Sequence, residues 1–245
     1  MQYKIIVAYD GTNYQGWQKQ TNGPTVAETL EKVFFKVFHK KISLFAASRT
    51  DAGVHAEGQV ATFSTDLSIT TETLKNAWNN RLPESILIKE LASAPDNYNP
   101  HHHILEKTYE YTIALQRPSP FVARHQWFYR WPLNIKKLEE VLAIFIGTHD
   151  FRSFCTGDDM KDTIRTINSI TLQKIDAVTY KIIFKGPGFL RYMIRRIVGA
   201  SLEIASRPKL TIDYLKKIKD TCNPEHTLPC APARGLLLKS ITYKN

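Results

Sequence analysis

Cysteine is scarce, with only Cys155, Cys222 and Cys230 among 245 residues. Three is not an even set and no Cys-x-x-Cys pair occurs, which argues against a disulfide framework and a structural zinc site and fits a reducing compartment. Long apolar stretches are missing as well. The longest uninterrupted one, Val141 to Ile146, has six residues, against the roughly 20 needed to cross a bilayer. No membrane span is expected. Residues 1 to 10 set Lys4 and Asp10 around a short strand-like run and lack the basic region and long apolar segment of a signal peptide, so the expected location is cytoplasmic. The strings Gly-x-Gly-x-x-Gly, His-Glu-x-x-His and Gly-x-Ser-x-Gly and the phosphate-binding Gly-Lys-Ser/Thr loop are absent, which weakens dehydrogenase, zinc-protease, hydrolase and kinase readings. Acid is in deficit: 23 Asp+Glu stand against 33 Lys+Arg, a formal +10. Such a surface draws polyanions, whether RNA, DNA or phosphorylated ligands.

What is present is ordinary for a globular chain, 43% hydrophobic and 23% charged, and disorder is excluded. The length allows one large unit or two modest lobes. Lys4 to Tyr9 reads as a strand ended by the turn pair Asp10-Gly11. Thr25-Val-Ala-Glu28 has the capping-box pattern, and Val26, Leu30, Val33, Phe34 and Val37 keep helical spacing through His39. Strands are expected at 42–47, 59–63 and 86–91, with a helix carrying Leu74, Ala77, Trp78 and Leu82 between the last two. The order is β-α-β-β-α-β. Turn formers crowd residues 94–103 and mark a boundary. Beyond it, alternating Tyr109, Tyr111 and Ile113 suggest a strand, Asn134 caps a helix, and strands are expected at 169–174 and 180–184. A long helix follows from Phe189, a short one covers 212–218, and a strand closes the chain at 236–243. The same order recurs loosely. An α+β fold of two ferredoxin-like lobes around a basic cleft is therefore expected, with mixed, mainly antiparallel sheets and lobes at 1–103 and 104–245.

The most unusual string is Ser48-Arg49-Thr50-Asp51-Ala52-Gly53-Val54-His55. An Asp two residues before Gly is ordinarily a turn former that bonds nearby backbone N–H groups. The sharper reading makes Asp51 an ionised nucleophile or base, kept charged by a neighbouring cation. Arg49 reads plainly as a solvated charge. Arg191, Arg195 and Arg196 rim an apolar helix face; were Arg195 to point inward beside a carboxylate, the two charges would have to pair. Tyr109 and Tyr111 share a strand face with Lys107, and most such tyrosines are core residues, although one lining a basic surface can stack on a base. Residues 9–18 mix aromatic and amide side chains with two glycines, suited to unpaired bases or to an ordinary hairpin tip. His101, His102 and His103 are consecutive, so on extended backbone their side chains diverge; no metal is assigned.

Several motifs in order resemble the tRNA pseudouridine synthase A family along almost the whole chain. They are Tyr9-Asp-Gly-Thr-x-Tyr-x-Gly-Trp-Gln18, Thr25-Val26 with Leu30-Glu31, Arg49-Thr-Asp-Ala-Gly-Val-His55, Lys107-x-Tyr109-x-Tyr111, His149-Asp-Phe151, Arg165-Thr-Ile167, Gly188-Phe-Leu190 with Met193-Ile-Arg195, and Ala231-Pro232-x-x-Gly235-Leu236. The resemblance implies isomerisation of uridine to pseudouridine at positions 38, 39 and 40 of the tRNA anticodon stem-loop. It implies a homodimer that needs neither cofactor nor metal. It makes Asp51 the catalytic aspartate, Arg49 and Arg195 charges flanking it, and Tyr109 the residue packed against the target base. The chain departs from the family at His101-His102-His103-Ile104, where an arginine before Phe-Ser-Ala is common, and at Ala27-Glu28. A base in a stem must be flipped to be reached, at a cost of about a few kcal/mol offset by stacking. The competing expectations are a non-catalytic RNA-binding module, which leaves Asp51 without a task, and a glycoside or nucleoside hydrolase, which needs a second carboxylate.

Overall fold

A computed structural model describes residues 1–156, 162–223 and 225–244. The chain separates into two compact units, Met1–Leu105 with Leu237–Asn245, and Glu106–Leu236.

In the first unit the elements run β1 (Gln2–Tyr9), α1 (Val26–Phe38), β2 (Phe45–Ala46), β3 (His55–Ser64), α2 (Thr71–Asn79) and β4 (Ile86–Ala94). The central strand β1 pairs antiparallel with β4 on one side and β3 on the other. It alternates half-buried and buried residues along its length, the period of a strand with one face on a core. The far edge of β3 is shared. Near its end β2 pairs antiparallel, through Phe45 with Thr62 and Ala46 with Ala61. At its start the last strand of the chain pairs in parallel, through Leu237 with His55 and Leu238 with Ala56. The segment expected to finish the second lobe, from Leu237 on, groups with the first unit. Both helices cover one sheet face: the Trp78 indole N–H donates to Leu30 O at 3.1 Å, and Trp78 meets the rings of Phe34 and Phe63 edge-on. Helix α1 starts where the capping pattern predicts, with the Thr25 hydroxyl accepting from Glu28 N–H at 3.3 Å. The reciprocal half of the box is not made; Glu28 pairs with Lys32 one turn on, at 2.7 Å.

The second unit contains β5 (Ile104–Ala114), β6 (Trp127–Phe128), α3 (Ile135–Ala143), β7 (Gly147–Asp150), β8 (Ile164–Ile167), β9 (Ser169–Lys174), β10 (Thr179–Gly186), α4 (Met193–Ser206) and α5 (Ile212–Asp220), and the chain's final strand is β11 (Leu236–Tyr243). Strand β10 lies antiparallel between β5 and β9, β6 adds in parallel to β5, and β7 pairs with β8 in a separate ribbon. Periodicity did not reveal β6, β7 or β8, which have only two to four residues and too few positions to show alternation. Helix α4 begins four residues later than its apolar spacing suggests. Tyr192 occupies the N-cap in the left-handed region, φ 63°, so the chain before it cannot continue the helix.

Candidate active site

The Arg49–His55 segment leaves the sheet between β2 and β3, and main-chain bonds define its course. Val54 N–H closes a turn onto Asp51 O at 3.1 Å, and Gly53 takes the positive φ of 76° that the turn requires. Trp17 N–H donates to Thr50 O at 3.2 Å, and Gly53 N–H to Tyr14 O at 3.1 Å. The Tyr9 and Thr50 hydroxyls share a buried hydrogen bond of 2.7 Å. The 9–18 segment is therefore the bed on which the 49–55 segment lies.

Two glycines in that bed are obligatory. A Cβ on Gly11 would stand 2.0 Å from Val54 O, and one on Gly16, whose φ is +90°, would stand 2.5 Å from Thr50 O. Tyr9, Tyr14 and Trp17 are buried, at most 8% exposed. The base-stacking option for these aromatics falls, since rings that support the neighbouring segment from within the core have no face left for a nucleobase.

His55 is buried, and its Nδ1 accepts from Gly11 N–H at 3.1 Å. The same nitrogen lies 3.1 Å from Asp10 Oδ1, but one nitrogen cannot both accept from an N–H and donate to a carboxylate. Asp10 Oδ1 already accepts from the N–H and hydroxyl of Thr12. Asp51 itself is half-buried and Arg49 exposed, an arrangement in which a carboxylate can be reached while its backbone stays fixed.

The other sequence-selected residues belong to the second unit. Tyr109, on β5, is 6% exposed and meets Phe189 edge to face with ring centroids 5.4 Å apart, which orients it by packing. Arg195 stands in the first turn of α4, half-buried. Its Nε donates to Ala231 O at 2.8 Å, and its guanidinium carbon lies 4.9 Å from the Tyr192 ring centre. Ala231 N–H returns a bond to Arg195 O at 2.9 Å. The motif residues Ala231-Pro232 and Gly235 thus serve α4 and β5: the Tyr111 hydroxyl donates to Pro232 O at 2.7 Å. Burial holds the Tyr111 phenol well above its ordinary range, against the opposing pull of Arg195.

Lys107 is the residue whose state the sequence did not disclose. It is 8% exposed, and burial, with the Arg165 charge as the lesser cause, depresses its ammonium to about 8. The signal was its place in phase with Tyr109 and Tyr111 on a half-buried strand. Among the described residues of the first unit, a cavity of about 550 Å³ opens beside Gln2, Phe45, Phe63 and Asn97. It adjoins the end of β3 remote from Asp51, and none of the candidate residues lines it.

Comparison with known proteins then decides the family. A family model described as tRNA pseudouridine synthase matches residues 5–101 and 141–244. The chain belongs to the tRNA pseudouridine synthase family. It is 37% identical over 251 residues to the tRNA pseudouridine synthase A of Thermodesulfovibrio yellowstonii, covering 98% of each chain. It is 36% identical over 242 residues to that of Acetivibrio thermocellus, again 98% of each. With the Lactococcus lactis subsp. lactis protein of the same name the identity is 34%, over 98% of this chain and 96% of the relative. A solved structure described as a Cbf5-Nop10-Gar1 complex aligns at a TM-score of 0.36 and 13% identity, over 82% of this chain and 45% of that one, too slight a likeness to bear on fold or function. As a pseudouridine synthase, the chain is an isomerase. The 49–55 turn and its glycine-lined bed both fall within the matched residues.

Proposed function

We propose that this pseudouridine synthase acts on uridines 38, 39 and 40 of the tRNA anticodon stem-loop and that Asp51 is its catalytic carboxylate. The observation carrying the second part is the mooring of the 49–55 turn by the Tyr9–Thr50 bond and the Gly11 and Gly16 approaches. So many constraints on a short irregular segment are the support a reacting group needs if its position is to be set before substrate arrives.

The reaction requires the N1–C1′ bond to break with its electron pair passing to the uracil. The base then turns and C5 joins C1′. The C5 proton leaves, and N1 ends protonated. Nothing is oxidised and no water is consumed. A carboxylate at the glycosidic centre can act there as nucleophile or base. Arg49 and Arg195 are assigned to flank that charge, and Tyr109, already oriented by Phe189, to pack on the everted base.

The reading brings with it two ferredoxin-like lobes around a basic cleft, a homodimer, cytoplasmic action and no requirement for cofactor or metal. In the first unit, the antiparallel order β4-β1-β3-β2 with two helices on one face supports the lobe assignment. The net +10 supports an RNA partner.

The deciding experiment is release of tritium from 5-tritiated uridine in unmodified tRNA, with chemical mapping of the positions changed. Wild-type protein is expected to release it. Asp51→Asn is expected to release none while its tRNA affinity stays within about twofold of wild type, as for loss of a group acting only in the transition state. Near-normal release by Asp51→Asn rejects the assignment.

A further inference from the structure

We propose that Gln59 is a positioning residue for Asp51, a role that rests on reading Asp51 as the catalytic carboxylate. The β2–β3 ladder sets Phe45 opposite Thr62 and Ala46 opposite Ala61. Its next rung persists as Ala47 N–H to Val60 O at 2.9 Å, and the same register places Ser48 opposite Gln59. There the strand ends. The Gln59 side-chain amide takes over, its Nε2 donating to Ser48 O at 2.6 Å. A side chain thus supplies the last rung at the point where the backbone turns out of the sheet toward Asp51.

The setting makes that bond unusual. Gly58 through Phe63 are all buried, and Gln59 has no exposed surface. Its Oε1 is buried with no hydrogen-bond partner among the described residues. A buried amide satisfied at one end carries a desolvation cost that an apolar residue of similar volume would avoid. The donor end is what offsets it. Two residues beyond Ser48, Thr50 is held by the Tyr9 hydroxyl and by Trp17 N–H, so Gln59 and Tyr9 fix points on either side of Arg49, and Asp51 follows at once.

Gln59→Met keeps the volume and removes the donor; Gln59→Glu keeps the shape and donates only when protonated. With Gln59→Met, kcat for tritium release should fall about 10- to 100-fold with tRNA Kd within about twofold, the pattern of a reacting group displaced by less than a bond length or so. Amide exchange at Asp51–Val54 should quicken while that of α1 stays unchanged. For Gln59→Glu, burial raises the carboxyl pKa, so its kcat relative to wild type should climb as pH is lowered from about 8 to about 6, within one folded protein.

Wild-type kcat and unchanged Asp51–Val54 exchange in Gln59→Met overturn the proposal. So does a pH-independent ratio in Gln59→Glu, or a loss confined to Tm with kcat intact, which is what a merely structural role predicts. Failure of wild-type protein to release tritium would instead strike the functional reading, while amide exchange would still report whether Gln59 holds the turn.

Discussion

A lysine ammonium enclosed by protein loses hydration that a surface lysine keeps, and Lys107 shows the consequence in its depressed titration near 8. In the unfolded chain the same group titrates near 10.5. Between these values the unfolded state binds more protons, so stability attributable to Lys107 rises with pH across that window. Below about 8 both states are charged and the penalty is fully present. Urea titrations of wild type and Lys107→Met should therefore show the variant's relative advantage shrinking from pH 8 toward pH 10.5; a constant difference would mean that the ammonium is not desolvated. The comparison must be differential, because Tyr111 and Tyr243 are both pushed upward by burial, hold their protons longer in the folded state, and lose stability above their unfolded titration range.

Single residues also account for much of what the motifs conceal. Residues 9–18 look suited to unpaired bases when read in line, but the burial of Tyr9, Tyr14 and Trp17 and the close approaches of Gly11 and Gly16 make them the underside of the Asp51 turn. Glycine spacing announces tight backbone, and Asp51-Ala-Gly53 announces a turn; neither says which other segment makes the tightness necessary. Gln59 was legible only as a strand residue, because its value lies in a partner eleven positions away.

Elements were easier to read where they are long and periodic. Helix α1 and strands β1, β5, β9 and β11 lie where apolar spacing and capping residues put them, since both signals are local. The Thr25 cap is fully buried, and Thr25→Ala should destabilise the protein by about 1 kcal/mol, the usual worth of an N-cap. A chemical-denaturation midpoint measures this, and no change would mean that the 3.3 Å bond to Glu28 contributes nothing. The β7–β8 ribbon, by contrast, is held by long-range pairing of His149 with Arg165 and Thr148 with Thr166, and its residues have no alternation of their own. Helix α4 starts late for a similar reason: apolar spacing continues through Phe189 and Leu190, but the left-handed turn at Tyr192 interrupts the backbone that spacing would imply.

For the whole molecule, net charge is the property that acts at a distance. An excess of +10 means that RNA binding releases condensed counterions. Affinity for tRNA should fall by at least about tenfold between roughly 50 and 200 mM salt, linearly on logarithmic axes. Filter binding or fluorescence anisotropy across that range is the measurement, and a flat response would separate the basic excess from RNA recognition. Single-turnover chemistry with pre-bound substrate should be much less sensitive, because the isomerisation itself displaces no phosphate counterion.

Charge, the shortness of the apolar runs, the longer periodic elements and the motif residues were all determined by the sequence, because each depends on composition or on neighbours within a helical turn or a strand's alternation. Tertiary structure alone decided that the final strand joins the first unit, that the glycine-rich segment is a bed and not a platform, and that a glutamine amide supplies the last rung before the Asp51 turn. Those outcomes rest on hydrogen bonds and van der Waals exclusion between segments far apart in the chain, and spacing along the chain does not encode which distant atoms meet.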